Sequence, residues 1–187
     1  RHKIPLIFMA DIIHGYETIF PVPLALASSW NDDILKKSAR IAAKEASTAG
    51  IQVTFAPMVD LVRDPRWGRV VESFGEDPYL AGRFAKAQVK GFQNDGVEKI
   101  GNIAACVKHF AAYGAAEAGK DYNTVDISRL NLHTNYLRGY KAAIDADAKL
   151  VMTSFNIFEG MPATTNQYLL KEVLRQQWEF KGLVITD

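Results

Sequence analysis

The feature that most constrains this chain is a repeated alternation of two segment types. Short apolar runs at Pro5 to Ala10, Ile51 to Ala56, Ile103 to His109, Leu150 to Phe155 and Leu183 to Asp187 read as strands. They are too continuously apolar to have one wet face, so a parallel sheet covered on both faces is expected. Helix patterns with start and stop signals lie between them. Asn31 can cap a helix with Asp32 and Asp33 in its first turn, an inner stripe of Ile34, Leu35, Ile41, Ala42 and Ala46, and Gly50 at its end. Asp77-Pro78 opens a second, leading Leu80, Phe84 and Ala87. Asp126 or Ser128 opens a third with Leu130, Leu137, Tyr140 and Ile144, and Asn166 opens a fourth with Leu169, Leu170, Val173 and Leu174, closing near Gly182. The order is β-α-β-α-β-α-β-α-β.

Two architectures use that order, the doubly wound open sheet and the (β/α)8 barrel. No G-x-G-x-x-G turn follows a strand, which counts against a dinucleotide-binding sheet. Asp11, Lys108 with His109, Ser154 with Asn156, and Asp187 all fall at C-terminal strand ends. A barrel gathers those ends into one mouth, where its catalysis happens. The expected fold is therefore α/β, a (β/α)8 TIM-barrel type that is incomplete, with about five βα units. The chain also stops on the last residue of a strand, so an excerpt of a longer protein is expected. An isolated copy would expose unpaired strand edges.

Composition removes several function classes. The 187 residues carry a net charge of +1, which offers no field for nucleic acid or an anionic membrane. No apolar run approaches the roughly 20 residues that span a bilayer. Arg1-His2-Lys3 is neither an initiator methionine nor a signal peptide. Cys106, the only cysteine, sits in a strand run and reads as a packed, inert thiol. His2, His14, His109 and His133 are scattered, so neither a metal set nor a cofactor is expected.

The polar strand ends have competing readings. Asp187 is either a helix cap or a catalyst, and position alone leaves both open. Lys108 could be a Schiff-base nucleophile, a donor to a ligand, or half of an ion pair. Neighbours on a regular strand face opposite sides, so if Lys108 and His109 serve one site the backbone there must be irregular. Asp11 is either an Asx turn or an acceptor for two sugar hydroxyls; His14 reads as structural. The long charged loop from Pro57 to Asp77 holds Arg63, Arg66 and Arg69 beside Asp60, Asp64 and Glu72. Arg63 and Arg66 are expected to be ion-paired stiffeners. Trp67 is either a flat platform for a sugar or a plug.

Taken together, Asp11 to Gly15 (DIIHG), Arg63 to Arg69 with Glu72, Lys108 to Gly114 (KHFAAYG), Asp121 to Asp126 (DYNTVD) and Gly182 to Asp187 strongly resemble glycoside hydrolase family 3, in particular its bacterial periplasmic β-glucosidase branch. The resemblance runs along nearly the whole chain in order. It implies that residues 1–187 are part of an N-terminal catalytic barrel, followed in the longer enzyme by an α/β sandwich domain that usually supplies the acid/base carboxylate. It implies Asp187 as nucleophile, with Asp11, Arg69, Lys108 and His109 holding the hydroxyls of the terminal sugar. Glu72 would support the arginine, with Trp67, Met152 and Phe155 as further supporting residues; some relatives carry tyrosine at the Phe155 position. The Lys108 to Gly114 loop differs from the Lys-His-Phe-Pro-Gly-His-Gly type of the N-acetylglucosaminidase branch. The implied activity is retaining hydrolysis of terminal non-reducing β-D-glucosyl residues. A β-glucoside or short β-linked gluco-oligosaccharide would be the ligand, the address periplasmic or secreted, and the chain alone poorly active or inactive. The rival readings are a Schiff-base lyase using Lys108 and a non-catalytic sugar-binding barrel fragment.

Overall fold

The computed structural model describes residues 3–187. Arg1 and His2, and with them the reading that His2 joins no metal set, lie outside the described residues. The chain runs β1 (Met9–Ala10), α1 (Pro23–Ala27), α2 (Asp32–Thr48), β2 (Val53–Thr54), α3 (Pro78–Gln93) and β3 (Ala104–Phe110). Next comes a composite helix of α4 (Arg129–Asn131), a π-helical segment (Leu132–Tyr136) and α5 (Leu137–Asp145). Strand β4 (Leu150–Thr153), the hairpin β5 (Ile157–Phe158) and β6 (Met161–Pro162), a π-helix (Tyr168–Gln177) and β7 (Leu183–Ile185) complete it. Strands β1, β2, β3, β4 and β7 form one sheet in that order, with every pairing parallel. This is an α/β fold of five successive strands, an open arc of a (β/α)8-type wall among the described residues.

The helix starts follow the capping chemistry of the sequence. The Asn31, Asp77 and Asn166 side chains accept the backbone N–H groups of Asp33, Leu80 and Leu169. Of the two candidates for the third helix, Ser128 is the cap, accepting from the Asn131 N–H. Gly50 follows α2 at φ +84, a left-handed position where other residues are strained.

The strands show how a parallel wall separates two apolar layers. Ala105 and Val107 of β3 pack into the large core under the helices, while Ala104 and Cys106 face the other side with Val53, Leu150 and Met152. Successive side chains point to opposite faces, so one continuous apolar run serves both layers. Burial pushes the Cys106 thiol up to about 12, in keeping with an inert packed cysteine.

Several expectations are corrected. The run from Pro5 to Ala10 is a strand only at Met9–Ala10, and Ile4, Leu6, Ile7 and Phe8 are exposed. Pro5 has no N–H to give, and no described strand pairs with the outer edge of β1. Ile34 and Ile41 lie outside the buried stripe of α2, which runs through Leu35, Ala39, Ala42, Ala43 and Ala46. Leu130 is likewise exposed, in the first turn of its helix. The alanine stripe exists because α3 comes very close: a β-carbon on Gly91 would lie 2.5 Å from the Lys36 carbonyl oxygen and 2.6 Å from the Ala39 β-carbon.

Gly91→Ala should therefore destabilise the folded domain by about 1–3 kcal/mol through overpacking. Gly68→Ala, where a β-carbon meets nothing within 4 Å, should shift stability by less than about 0.5 kcal/mol. Denaturant midpoints of the two variants in the full-length protein check the contrast.

Candidate active site

A parallel sheet delivers the C-terminal ends of all its strands to one side, and the polar residues of the sequence meet there. A cavity of about 510 Å³ is lined by Asp11 past β1, Phe55 past β2, Lys108 on β3, Met152 on β4, and Thr186 and Asp187 past β7. Ile13 also lines it, and the long loop adds Arg69 and Glu72. Of the nine residues singled out from sequence, six line this hollow: Asp11, Arg69, Glu72, Lys108, Met152 and Asp187.

Ion pairs order the rim. Lys108 Nζ lies 2.7 Å from Asp11 Oδ1, joining the ends of β1 and β3. Asp11 thus accepts from a lysine across the sheet. Arg69 forms a two-point contact with Glu72, at 2.8 Å and 2.9 Å, and its guanidinium lies 5.7 Å from the centre of the Tyr113 ring. Burial works against the charged form of Arg69, yet the Glu72 carboxylate, helped by Asp60, carries it above its ordinary value.

His109 does not line the cavity, but its Nε2 lies 3.4 Å from Asp187 Oδ2. The required irregularity is present: pairing with β4 shifts register between Val107 and Phe110. The Lys108–His109 and Phe110–Ala111 peptides are cis. Ser154 and Asn156, also at a strand end, are buried and donate to the Ala111 carbonyl, holding this turn from below rather than facing the hollow.

Trp67 and Phe155 sit outside the cavity wall. Trp67 is a plug: it is buried, packs edge-on against Tyr113 and donates from its indole to Asp121 at 2.9 Å. Phe155 packs edge-on against Tyr113 and Tyr122 and stays partly exposed. His14 is structural, with Nδ1 2.9 Å from the Phe20 carbonyl oxygen. Among the loop arginines, Arg66 pairs with Asp64, whose carboxyl it holds down to about 2. Arg63 has no ion pair among the described residues, which corrects that expectation; its side chain is exposed and solvated instead. No cluster of three metal-ligating side chains occurs among the described residues.

Three residues that support the site were given no role there by sequence reasoning. Asp121 accepts from both the Trp67 indole and the Tyr113 hydroxyl and so fixes the aromatic wall under Arg69. Asp60 and Tyr140 lie under His109. Asp60 did carry a signal, since it is a lone carboxylate inside the apolar run Met58 to Val62, a costly placement without partners.

Comparison with known proteins decides the family. Residues 1–187 match the glycosyl hydrolase family 3 N-terminal domain. The chain belongs to glycosyl hydrolase family 3. It is 48% identical over 187 residues to a periplasmic β-glucosidase of Salmonella typhimurium, covering all of this chain and 24% of that protein. A β-glucosidase from Listeria innocua, solved with glucose and, as a mutant, with laminaribiose, is 56% identical with a TM-score of 0.98, covering all of this chain and 26% of that one. A β-xylosidase of Formosa agariphila is 35% identical over 178 residues, covering 93% of this chain and 25% of that protein. The chain spans about a quarter of the length of these relatives.

Asp121 gives this family 3 domain a pH signature. Desolvation opposes its charge, but the Tyr113, Trp67 and Tyr122 hydrogen bonds outweigh it and lower its pKa. A lowered carboxyl contributes stability that is complete above about pH 4 and is lost as pH falls through the folded-state value. Between pH 6 and pH 2.5 the melting temperature of Asp121→Asn should fall less steeply than that of the wild type, while starting lower at pH 6.

Proposed function

We propose that this chain is part of the catalytic barrel of a retaining β-glucosidase, with Asp187 as nucleophile and Asp11, Arg69, Lys108 and His109 as the clamp on the terminal sugar. The observation that carries the reading is the shared cavity. Carboxylates and cations from four separated stretches line one hollow of about 510 Å³, the size of a sugar site. The β-glucosidase relatives add support, and a β-glucoside or short β-linked gluco-oligosaccharide is the substrate class proposed.

Cleavage of a glycosidic bond passes through an oxocarbenium-like state with positive charge at the anomeric carbon. The Asp187 carboxylate, below the ring, stabilises that charge and then bonds to the carbon as the glycosidic C–O bond breaks. A second carboxyl about 5 Å away protonates the departing oxygen, then deprotonates the water that releases the sugar. On this reading that second group comes from outside the chain, from a following α/β sandwich domain, and the chain alone hydrolyses natural glucosides poorly or not at all. Lys108 already has a partner in Asp11, which fits a clamp better than a free Schiff-base amine. Arg69, stiffened by Glu72, and Lys108 with Asp11 restrict the ring to one seat, and orientation of this kind removes several kcal/mol of barrier. A periplasmic or secreted address is part of the proposal and rests on the named relative; no described helix is long and apolar enough to cross a membrane.

In the full-length enzyme, Asp187→Asn should lower kcat on an aryl β-glucoside by about 10³-fold or more, as expected when a nucleophile is removed. A 2-fluoroglucoside should label the Asp187 carboxylate, read by mass spectrometry of the peptides. Wild-type turnover in the variant, or label on another residue, overturns the assignment.

A further inference from the structure

Asp60 belongs to no strand and does not line the site cavity, yet its side chain is wholly buried in the middle of an apolar run. Three donors surround it. Its Oδ2 accepts from the backbone N–H of His109 at 3.0 Å and lies 2.8 Å from His109 Nδ1. Its Oδ1 accepts from the Tyr140 hydroxyl at 2.6 Å, and that hydroxyl also lies 2.5 Å from the His109 carbonyl oxygen. Asp60 and Tyr140 between them therefore hold the backbone N–H, the carbonyl and one ring nitrogen of a single residue. Burial and the adjacent Asp60 carboxylate hold the Tyr140 phenol well above its ordinary value, so it stays a donor.

The reach of Tyr140 depends on its neighbour. Gly139 brings α5 so close that a β-carbon there would lie 3.0 Å from the Val59 β-carbon, and Val59 directly precedes Asp60. The other end of the imidazole is the telling one. His109 Nε2 is fully buried and has no hydrogen-bond partner among the described residues, and it lies 3.4 Å from Asp187 Oδ2. A buried polar atom left unpartnered beside a reactive group calls for a reason.

We propose that Asp60 and Tyr140 are positioning residues that lock His109 in one tautomer and one orientation, Nδ1–H toward Asp60 and Nε2 toward the Asp187 carboxylate. The inference rests on the reading of Asp187 as nucleophile. Because the His109 backbone N–H and the Tyr140 hydroxyl hold the Asp60 carboxylate in place, the imidazole cannot turn without breaking its own bond to a fixed acceptor. Which group Nε2 offers to the reaction centre is thus decided on the far side of the ring, as with any histidine whose second nitrogen is committed. An asparagine at position 60 can present an amide N–H to Nδ1, which permits the opposite tautomer without emptying the space.

The test uses the full-length enzyme and 4-nitrophenyl β-glucoside, with kcat expressed per site titrated by a 2-fluoroglucoside. Asp60→Asn should lower kcat per titrated site on the order of 100-fold, by the logic of a reversed histidine tautomer. Its KM should change by less than about 3-fold, since Asp11, Arg69 and Lys108 still line the cavity and hold the ring in the ground state. Tyr140→Phe should lower kcat per site by roughly 10-fold, as partial loss of an orienting partner does. A merely structural role would move only the titrated fraction or the melting temperature. That outcome, or a loss confined to KM, overturns the proposal. If Asp60→Asn yields no folded enzyme, Tyr140→Phe decides: wild-type kcat per site overturns the proposal and the loss supports it. Asp187→Asn run in parallel separates the two readings. An active Asp187→Asn sinks the nucleophile assignment itself, whereas an inactive one beside an unaffected Asp60→Asn sinks only the positioning role.

Discussion

A carboxylate taken out of water must find donors, and the wholly buried Asp60 finds them on a strand and a helix far along the chain, while the more exposed acids are also paired. Asp11 meets Lys108, Glu72 meets Arg69, Asp121 meets Trp67 and Tyr113, and Asp60 meets His109 and Tyr140. Except for Glu72 with Arg69 and Asp121 with Tyr113, each pairing crosses between stretches distant in sequence. The parallel sheet makes this possible because it delivers every strand end to the same side. Were the strands antiparallel, successive ends would alternate between two rims, and the acidic and basic ends would be split.

Beneath this rim the site has depth. The outermost groups, Asp11, Lys108, Arg69 and Asp187, border the hollow. Behind them lies a second layer with no face on it, in which Trp67, Tyr113, Asp60 and Tyr140 are buried and Asp121 is exposed. Trp67, Tyr113 and Asp121 support Arg69, while Asp60 and Tyr140 support His109. The irregular turn from Lys108 to Ala111 joins the two, since its first residue faces the cavity and its second is held from the helix side. Ser154 and Asn156 close it by donating to the Ala111 carbonyl. Rigid side chains need such support, because a group free to turn loses the orientation that makes it useful.

Much of the wall was legible in the sequence because period and capping are local physics. The five apolar runs, the caps at Asn31, Asp77 and Asn166, and the polar residues at strand ends all carried their meaning within a few positions. What failed was decided by distant neighbours. Ile34 and Ile41 look like core residues by hydrophobicity, but α3 approaches along the alanines, and the close contact at Gly91 leaves no room for larger side chains. The run from Pro5 to Phe8 looks like a strand, but backbone pairing needs a partner, and the outer edge of β1 has none among the described residues. Arg63 and Arg66 look alike, yet among the described residues only Arg66 is paired with a carboxylate.

Asp60 marks the boundary between the two kinds of information. In sequence it looked like one acid among three in a charged loop, available to any of three arginines. In the fold Arg69 takes Glu72 and Arg66 takes Asp64, while Asp60 turns inward with its apolar neighbours. The difference follows from what flanks it. Met58, Val59, Leu61 and Val62 must be buried, and they carry the carboxylate in with them. A carboxylate buried in that way is tolerable only if donors meet it there, and a backbone N–H, a ring nitrogen and a phenol do so. Burial that would be a cost in an ordinary core thus becomes the means of holding an imidazole still. The same apolar run that packs the domain therefore also orients the histidine beside Asp187.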